Sequence, residues 1–215
     1  MIIPATRVRP SELKGEASTF LGQYAMAVPT GAVTTVAAGT ASAGHLLALR
    51  WTSSTSKLLL RRAAAQFVLT TAFGAAQEVG CELFCTRSYS AAHTAQTAID
   101  VGGTNTDANK IRKGNATSLV SSARVAGTGA LTDGTHTIDP NALGSCSGYA
   151  GAVGVIISKD PGCGLPSGVL WEARADQSPI VLTASEGLII RNTVLMGASG
   201  VGRWQFFLEW DEVTL

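Results

Sequence analysis

The chain has 215 residues, and its 16 Lys and Arg nearly balance its 15 Asp and Glu. A net charge of +1 and a pI near 7.7 exclude the strong basic field that nucleic-acid binders draw on. No stretch reaches the ~20 apolar residues needed to span a bilayer as a helix.

Only 14% of the residues are charged, against a usual figure of about 25%, and Gly, Ala, Ser and Thr are abundant. This composition suits β-structure with close backbone contacts better than a helical bundle. The length fits one large all-β domain, able to bury roughly 70% of its unfolded surface without disulfides or metals. So few charges leave a monomer poorly soluble, and burial in an oligomer relieves that.

The opening "MIIPATRVRPSELKG" has no apolar run of signal-peptide length, so synthesis in a cytoplasm is expected. Residues 1–45 read as an extended arm carrying Pro4, Pro10 and Pro29, with a short helix capped by Ser11 as one option for residues 11–20. Within the arm, "QYAMAV" places Tyr24, Met26 and Val28 on one parity and reads as an edge strand. Residues 46–215 then read as a β-sandwich or jelly-roll-like domain, with eight to ten strands separated by turn signals.

"HLLALRW" is the first strand of that domain. "SKLLLRRAAAQFVLTTAF" is rich in helix formers at its start, but its β-rich second half favours a strand throughout. "CELFCTRSY" follows. Cys81 and Cys85 lie on one face of it, about 13 Å apart by strand rise, too far to pair with each other. They read as small buried hydrophobes. Cys146 and Cys163 lie in Gly-rich loops, where a disulfide between them requires the loops to meet. No CxxC or HxxxH spacing is present, so no zinc site is expected. Residues 90–115 form a long polar loop, whose "GGTNTDAN" offers oxygens without the ordered ligand spacing of an EF-hand. "TSLVSSARVAGTG" reads as a strand, and "ALTDGTHTI" as another with a turn at Asp133-Gly134. The Gly-rich stretch 139–168 contains the strand-like "AVGVIIS". "GVLWEAR", "PIVLT", "EGLIIRNTVL" and "GRWQFFLEWDE" complete the series.

In the last of these, Trp204, Phe206, Leu208 and Trp210 share one parity and are the expected core face. Burying them contributes on the order of 8 kcal/mol before entropy is counted. The expected partner strand is "EGLIIRNTVL", joined through a Gly-rich hairpin. Glu209 and Asp211 fall on the outward face as a solvated or interfacial pair, and Phe207 stands there as a partner contact.

No catalytic constellation emerges. His45, His93 and His136 have no partner acid at a recognisable spacing, and there is no GxSxG elbow. "GASGVG" lacks the Lys-Ser/Thr of a phosphate loop. The chain is therefore expected to be no enzyme and to carry neither cofactor nor metal. Trp51 and Trp171 are weighed as sugar platforms, with core packing preferred.

Three stretches, "TTAFGAAQEVGCELFCTRSYSAAHT", "NATSLVSSARVAGTGALTDGTHTIDPNAL" and "QSPIVLTASEGLIIRNTVLMGASGVGRWQFFLEWDEV", resemble virion structural proteins of tailed bacteriophages. The resemblance runs from about residue 46 onward and is most specific in the "EGLIIRNTV…GRW…EWDEV" ending. It implies a β-rich virion component, made in the host bacterial cytoplasm, that decorates or cements the capsid. The implied partners are the major capsid protein and further copies of itself, as a homodimer or homotrimer. Nucleic acid and membrane are not among them. Ile2, Ile3, Pro4, Tyr24 and Phe207 are the expected contact residues. The alternative is a head-fibre or tail module that recognises a cell-surface glycan through Trp51, Trp171 or the 90–115 loop.

Overall fold

The structure, a computed structural model, describes residues 19–31, 44–101, 116–150, 167–174, 178–193 and 200–214. The described residues form twelve strands and no helix. They are β1 (Phe20–Pro29), β2 (His45–Trp51), β3 (Ser56–Thr71), β4 (Gln77–Ala91), β5 (Thr97–Ala98) and β6 (Val120–Val125), then β7 (Thr135–Ile138), β8 (Gly144–Ala150), β9 (Ser167–Glu172), β10 (Ile180–Leu182), β11 (Glu186–Asn192) and β12 (Val201–Thr214). They make two antiparallel sheets packed as a β-sandwich. The first runs β1-β12-β3-β10, with β9 also on β3; the second runs β5-β6-β2-β11-β4-β7, with β8 also on β4.

Period-two patterning selects the inner faces. Tyr24 and Met26 of β1, Phe67 of β3 and Trp204, Phe206, Leu208 and Trp210 of β12 are buried on the first sheet. Leu47, Leu49 and Trp51 of β2, Leu83 of β4 and Leu188 and Ile190 of β11 meet them from the second. Tyr24, expected at a partner surface, is fully buried and stacks on Trp210 with ring centroids 5.7 Å apart. It is a core residue because β1 lies against β12 over its whole length rather than standing off as an arm. Ile2, Ile3 and Pro4, most of the 11–20 helix option and the strand-like "AVGVIIS" lie outside the described residues.

The residues 56–71 are one long strand, but its parity changes midway. Leu58 and Leu60 face inward, and then Ala63, Ala65 and Phe67 do. The register opposite β12 slips between Leu60 and Arg62, leaving Arg61 as the extra residue of a bulge. Arg61 turns toward β12, where its Nε donates to Asp211 Oδ2 at 2.7 Å.

The expected hairpin between β11 and β12 is not formed. β11 sits in the second sheet between β2 and β4, and β12 in the first between β1 and β3. The Gly-rich connection carries the chain from one sheet to the other. Gly200, just before β12, and Gly202, within it, are needed for close approach rather than for a turn. A Cβ on Gly200 would lie 1.9 Å from the Phe73 ring, and one on Gly202 would lie 2.0 Å from the Phe67 ring. Both rings are buried and have no room to swing aside. Gly202→Ala is expected to cost about 1–3 kcal/mol by overpacking, read as a lower midpoint in urea unfolding. An unchanged midpoint would contradict this packing.

The sandwich is fastened along both sides. On one, Gly31 N donates to Ala126 O at 3.0 Å and Tyr24 Oη to Ala116 O at 2.7 Å, joining β1 to the segments flanking β6. On the other, β8 approaches β9 so closely that a Cβ on Gly144 would lie 1.7 Å from Leu170 O.

Candidate functional site

The second sheet carries a side-chain cluster that no local spacing announces. It begins with a bulge at the start of β2. Opposite β11 the register slips between Leu47 and His45, so Leu46 joins the core. His45 then takes the parity of Ala48 rather than that of Leu47 and Leu49. Ala48 packs with Leu131, Ile189 and Ile138 in a small apolar cluster separate from the main core. The chain from 126 to 139 therefore covers this part of the sheet. Leu131 N donates to His45 O at 3.1 Å, which fixes the cover over the β2 start.

The segment after β4 is held to the same cover by the Thr94–Thr132 bridge, with N···O distances of 3.0 and 3.2 Å. That pairing brings His93 beside Asp133. Gly134 is the residue that lets the two segments meet, since a Cβ there would lie 2.2 Å from Ala91 O. Asp133-Gly134 is thus a tight crossing before β7, not a hairpin between neighbouring strands. His136 follows from β7 itself.

Four side chains converge as a result. His45 Nδ1 lies 2.9 Å from His93 Nε2 and 3.1 Å from Asp133 Oδ1. Asp133 Oδ1 is 2.9 Å from His93 Nε2 and 3.6 Å from His136 Nε2. The three rings pack with centroids 5.0 to 5.6 Å apart. The Tyr89 hydroxyl meets His93 Nδ1, and its ring packs against His136. Arg50 Nε donates to Tyr89 O at 2.8 Å and holds that corner.

The surroundings set the protonation states. Burial, then His93, His136 and Arg191, push His45 down to about 3. Burial and His136 push His93 down to about 4. Both rings are therefore neutral at pH 7, with lone pairs to offer. Burial raises Asp133, against the pull of His136 and of the Gly134 N–H. Burial likewise raises the Tyr89 phenol, which stays protonated.

Other expected positions fall as follows. Trp204, Phe206, Leu208 and Trp210 are each 1% exposed or less. Phe207 faces outward and is half-buried, with the Arg62 guanidinium 5.9 Å from its ring centre. Asp211, read as part of a solvated pair with Glu209, is instead buried and paired with Arg61 at 2.6 Å from Nη2. Glu209 accepts a 2.7 Å hydrogen bond from Gln23 Nε2. Trp51 is fully buried and donates to Ser56 O at 3.1 Å, so it offers no sugar platform; Trp171 is half-buried against the core. Cys81 lies directly opposite Cys146 across β4 and β8, with Sγ atoms 3.6 Å apart. The expected partner of Cys146, Cys163, lies outside the described residues, as does the 102–115 part of the long polar loop.

No family model matches the chain, and neither a curated protein nor a solved structure does.

Proposed function

We propose that the chain is a non-enzymatic structural protein of a tailed-phage virion, a decoration or cement protein that binds the major capsid protein and further copies of itself. The observation that supports this most directly is the outer face of the first sheet. There β1, β12, β3 and β9 present Ala27, Phe207, Ala64 and Val169 around a shallow groove of about 340 Å³, with Arg62 and Gln205 at its polar edge. Val169 is 43% exposed although it is apolar, and Phe207 on the same face is only half-buried. A flat, mostly apolar face with a few polar groups at its rim is the anatomy of a protein–protein contact. The low charge of the chain agrees with burial of such a face in an assembly. The mechanism is burial of complementary surface between shell subunits, with closed symmetry setting the number of copies at each site.

Copy number in purified particles tests the reading. Many copies on the head support it, and a handful at the tail tip contradicts it. Phe207→Glu is expected to weaken attachment or self-association at least tenfold, since losing the ring and desolvating a charge in the contact, even beside Arg62, costs more than about 1.4 kcal/mol. Its melting temperature should stay close to wild type, because Phe207 is outside the core. Unchanged assembly in this variant would remove the face from the proposal.

A further inference from the structure

We propose that His45 Nδ1, His93 Nε2, His136 Nε2 and Asp133 Oδ1 form a four-coordinate site for a late first-row divalent metal ion, zinc by its geometry. The proposal is independent of the docking face, which lies on the other sheet.

Three observations carry it. The first is the spacing of the four atoms. Metal–ligand bonds of about 2.0–2.1 Å in a tetrahedron separate the ligand atoms by about 3.3 Å. Four of the six pairs are 2.9, 2.9, 3.1 and 3.6 Å apart, on either side of that value, and the two between His136 and the other histidines are within 4.8 Å.

The second is that hydrogen bonding accounts for only part of the arrangement: His45 Nδ1 and His93 Nε2 can share a proton, but the carboxylate oxygen beside them is left over. Asp133 Oδ1 is buried and accepts no hydrogen bond, although two ring nitrogens stand 2.9 and 3.1 Å away. His45 Nε2 and His136 Nδ1 are also buried without hydrogen-bond partners. Those two ring atoms are not ligands; the carboxylate oxygen, which costs about 1–3 kcal/mol if left buried and unpaired, is the one that requires an explanation. A cation at the centre supplies one for the carboxylate oxygen.

The third is the support behind a ligand. With His93 Nε2 on the metal, its Nδ1–H is free to donate to the Tyr89 hydroxyl. An outer-shell partner of this kind fixes the tautomer and orientation of a ligating imidazole.

The ligand set selects the ion. Three imidazoles and one carboxylate favour zinc and its neighbours over calcium or magnesium, which take oxygen cages. Four protein ligands leave no open coordination position, and the three histidines are nearly inaccessible, with side-chain exposures of 0, 1 and 3%. The ion's role is therefore structural. It joins the start of β2, the segment after β4 and the start of β7, pinning the 126–139 cover to the sheet. Asp133, at 24%, is the exposed ligand and marks the route of entry.

The test uses the full chain, stripped with a chelator and then dialysed against zinc. Elemental analysis should find one zinc per chain. Cobalt(II) in its place should give the intense visible bands of a tetrahedral site. Asp133→Ala and the Asp133→Ala/His136→Ala pair change the most accessible ligand, and then the ligand that shares its turn. They should lower zinc affinity at least a hundredfold and remove the chelator sensitivity of the melting temperature. Failure of the wild-type chain to retain zinc would overturn the proposal. So would equal zinc retention by the wild type and the double variant, which would place the ion elsewhere.

Discussion

Trp210→Ala is expected to lower stability by about 4–5 kcal/mol, near the top of the range for removing a buried tryptophan. The indole is fully buried at the centre of the first sheet, between β1 and β3. Its truncation removes the stacked contact with Tyr24 and leaves a cavity that two flanking strands, fixed by their own ladders, are poorly able to fill. It also removes the 3.0 Å hydrogen bond that Nε1 donates to Glu212 Oε1. Equilibrium unfolding in urea measures the loss. A deficit below 2 kcal/mol would mean that the sheet collapses into the space. Trp204→Ala should fall nearer 3–4 kcal/mol, because its Nε1 makes no hydrogen bond that would be lost.

The second large effect belongs to Glu212, a fully buried carboxylate. Its Oε1 accepts from Ser118 Oγ at 2.6 Å as well as from Trp210, and its Oε2 accepts from Leu119 N at 2.9 Å. One side chain of the first sheet thus holds the strand-entry segment of β6 in the second. Glu212→Ala leaves two N–H donors and a hydroxyl without their acceptor, and a cost of about 3 kcal/mol is expected. Glu212 also gives stability a pH dependence. Burial raises its pKa above the ordinary 4.5, and the three donors only partly oppose this. The folded state therefore binds the proton more readily than the unfolded one. The contribution of this group is full below about 4.5 and is lost as pH rises through the higher folded value. The neighbouring Tyr24 phenol is pushed upward and stays neutral throughout. Unfolding free energies of wild type and Glu212→Gln, compared across this range, should converge or cross as pH rises. Parallel curves would show that the carboxyl does not titrate differently on folding.

Much of the fold can be read from alternation alone. The last strand's apolar parity, the strand across 56–71 and the edge strand at 20–29 all follow from period-two burial. What alternation does not carry is where the count slips. Nothing in "LLLRRAAA" tells that Arg61 is the extra residue, because either parity there offers apolar side chains to the core. The same limit hides Leu46 and therefore the direction of His45. Pairing is misread for another reason. Closeness in sequence favours β11 as the neighbour of β12, whereas glycines 200 and 202 are spaced for the rings of Phe73 and Phe67. The histidine cluster is illegible for the most physical reason of the three. Zinc motifs are recognisable when ligands sit on one turn or knuckle. Here His45 and His93 are 48 residues apart and are brought together by sheet neighbours. The Asp133/His136 pair, three residues apart beside a glycine crossing, is the one local trace.

The place of β12 in the first sheet bears on how the chain reaches this state. It is the last of the twelve strands to be synthesised, yet it is the one that β1 and most of β3 pair with, joining residues as distant as Phe20 and Val213. Until it emerges from the ribosome, β1 lacks its one partner among the described strands, and a long edge of β3 is without the strand it pairs with. Such distant pairing gives a high contact order and slow folding, with unpaired edges exposed meanwhile. The second sheet waits almost as long, since its halves β5-β6-β2 and β4-β7 with β8 are joined by β11, the strand before β12. Assembly should therefore end with the late insertion of β11 into one sheet and β12 into the other, and a chain stalled before residue 186 should be the species that chaperones retain.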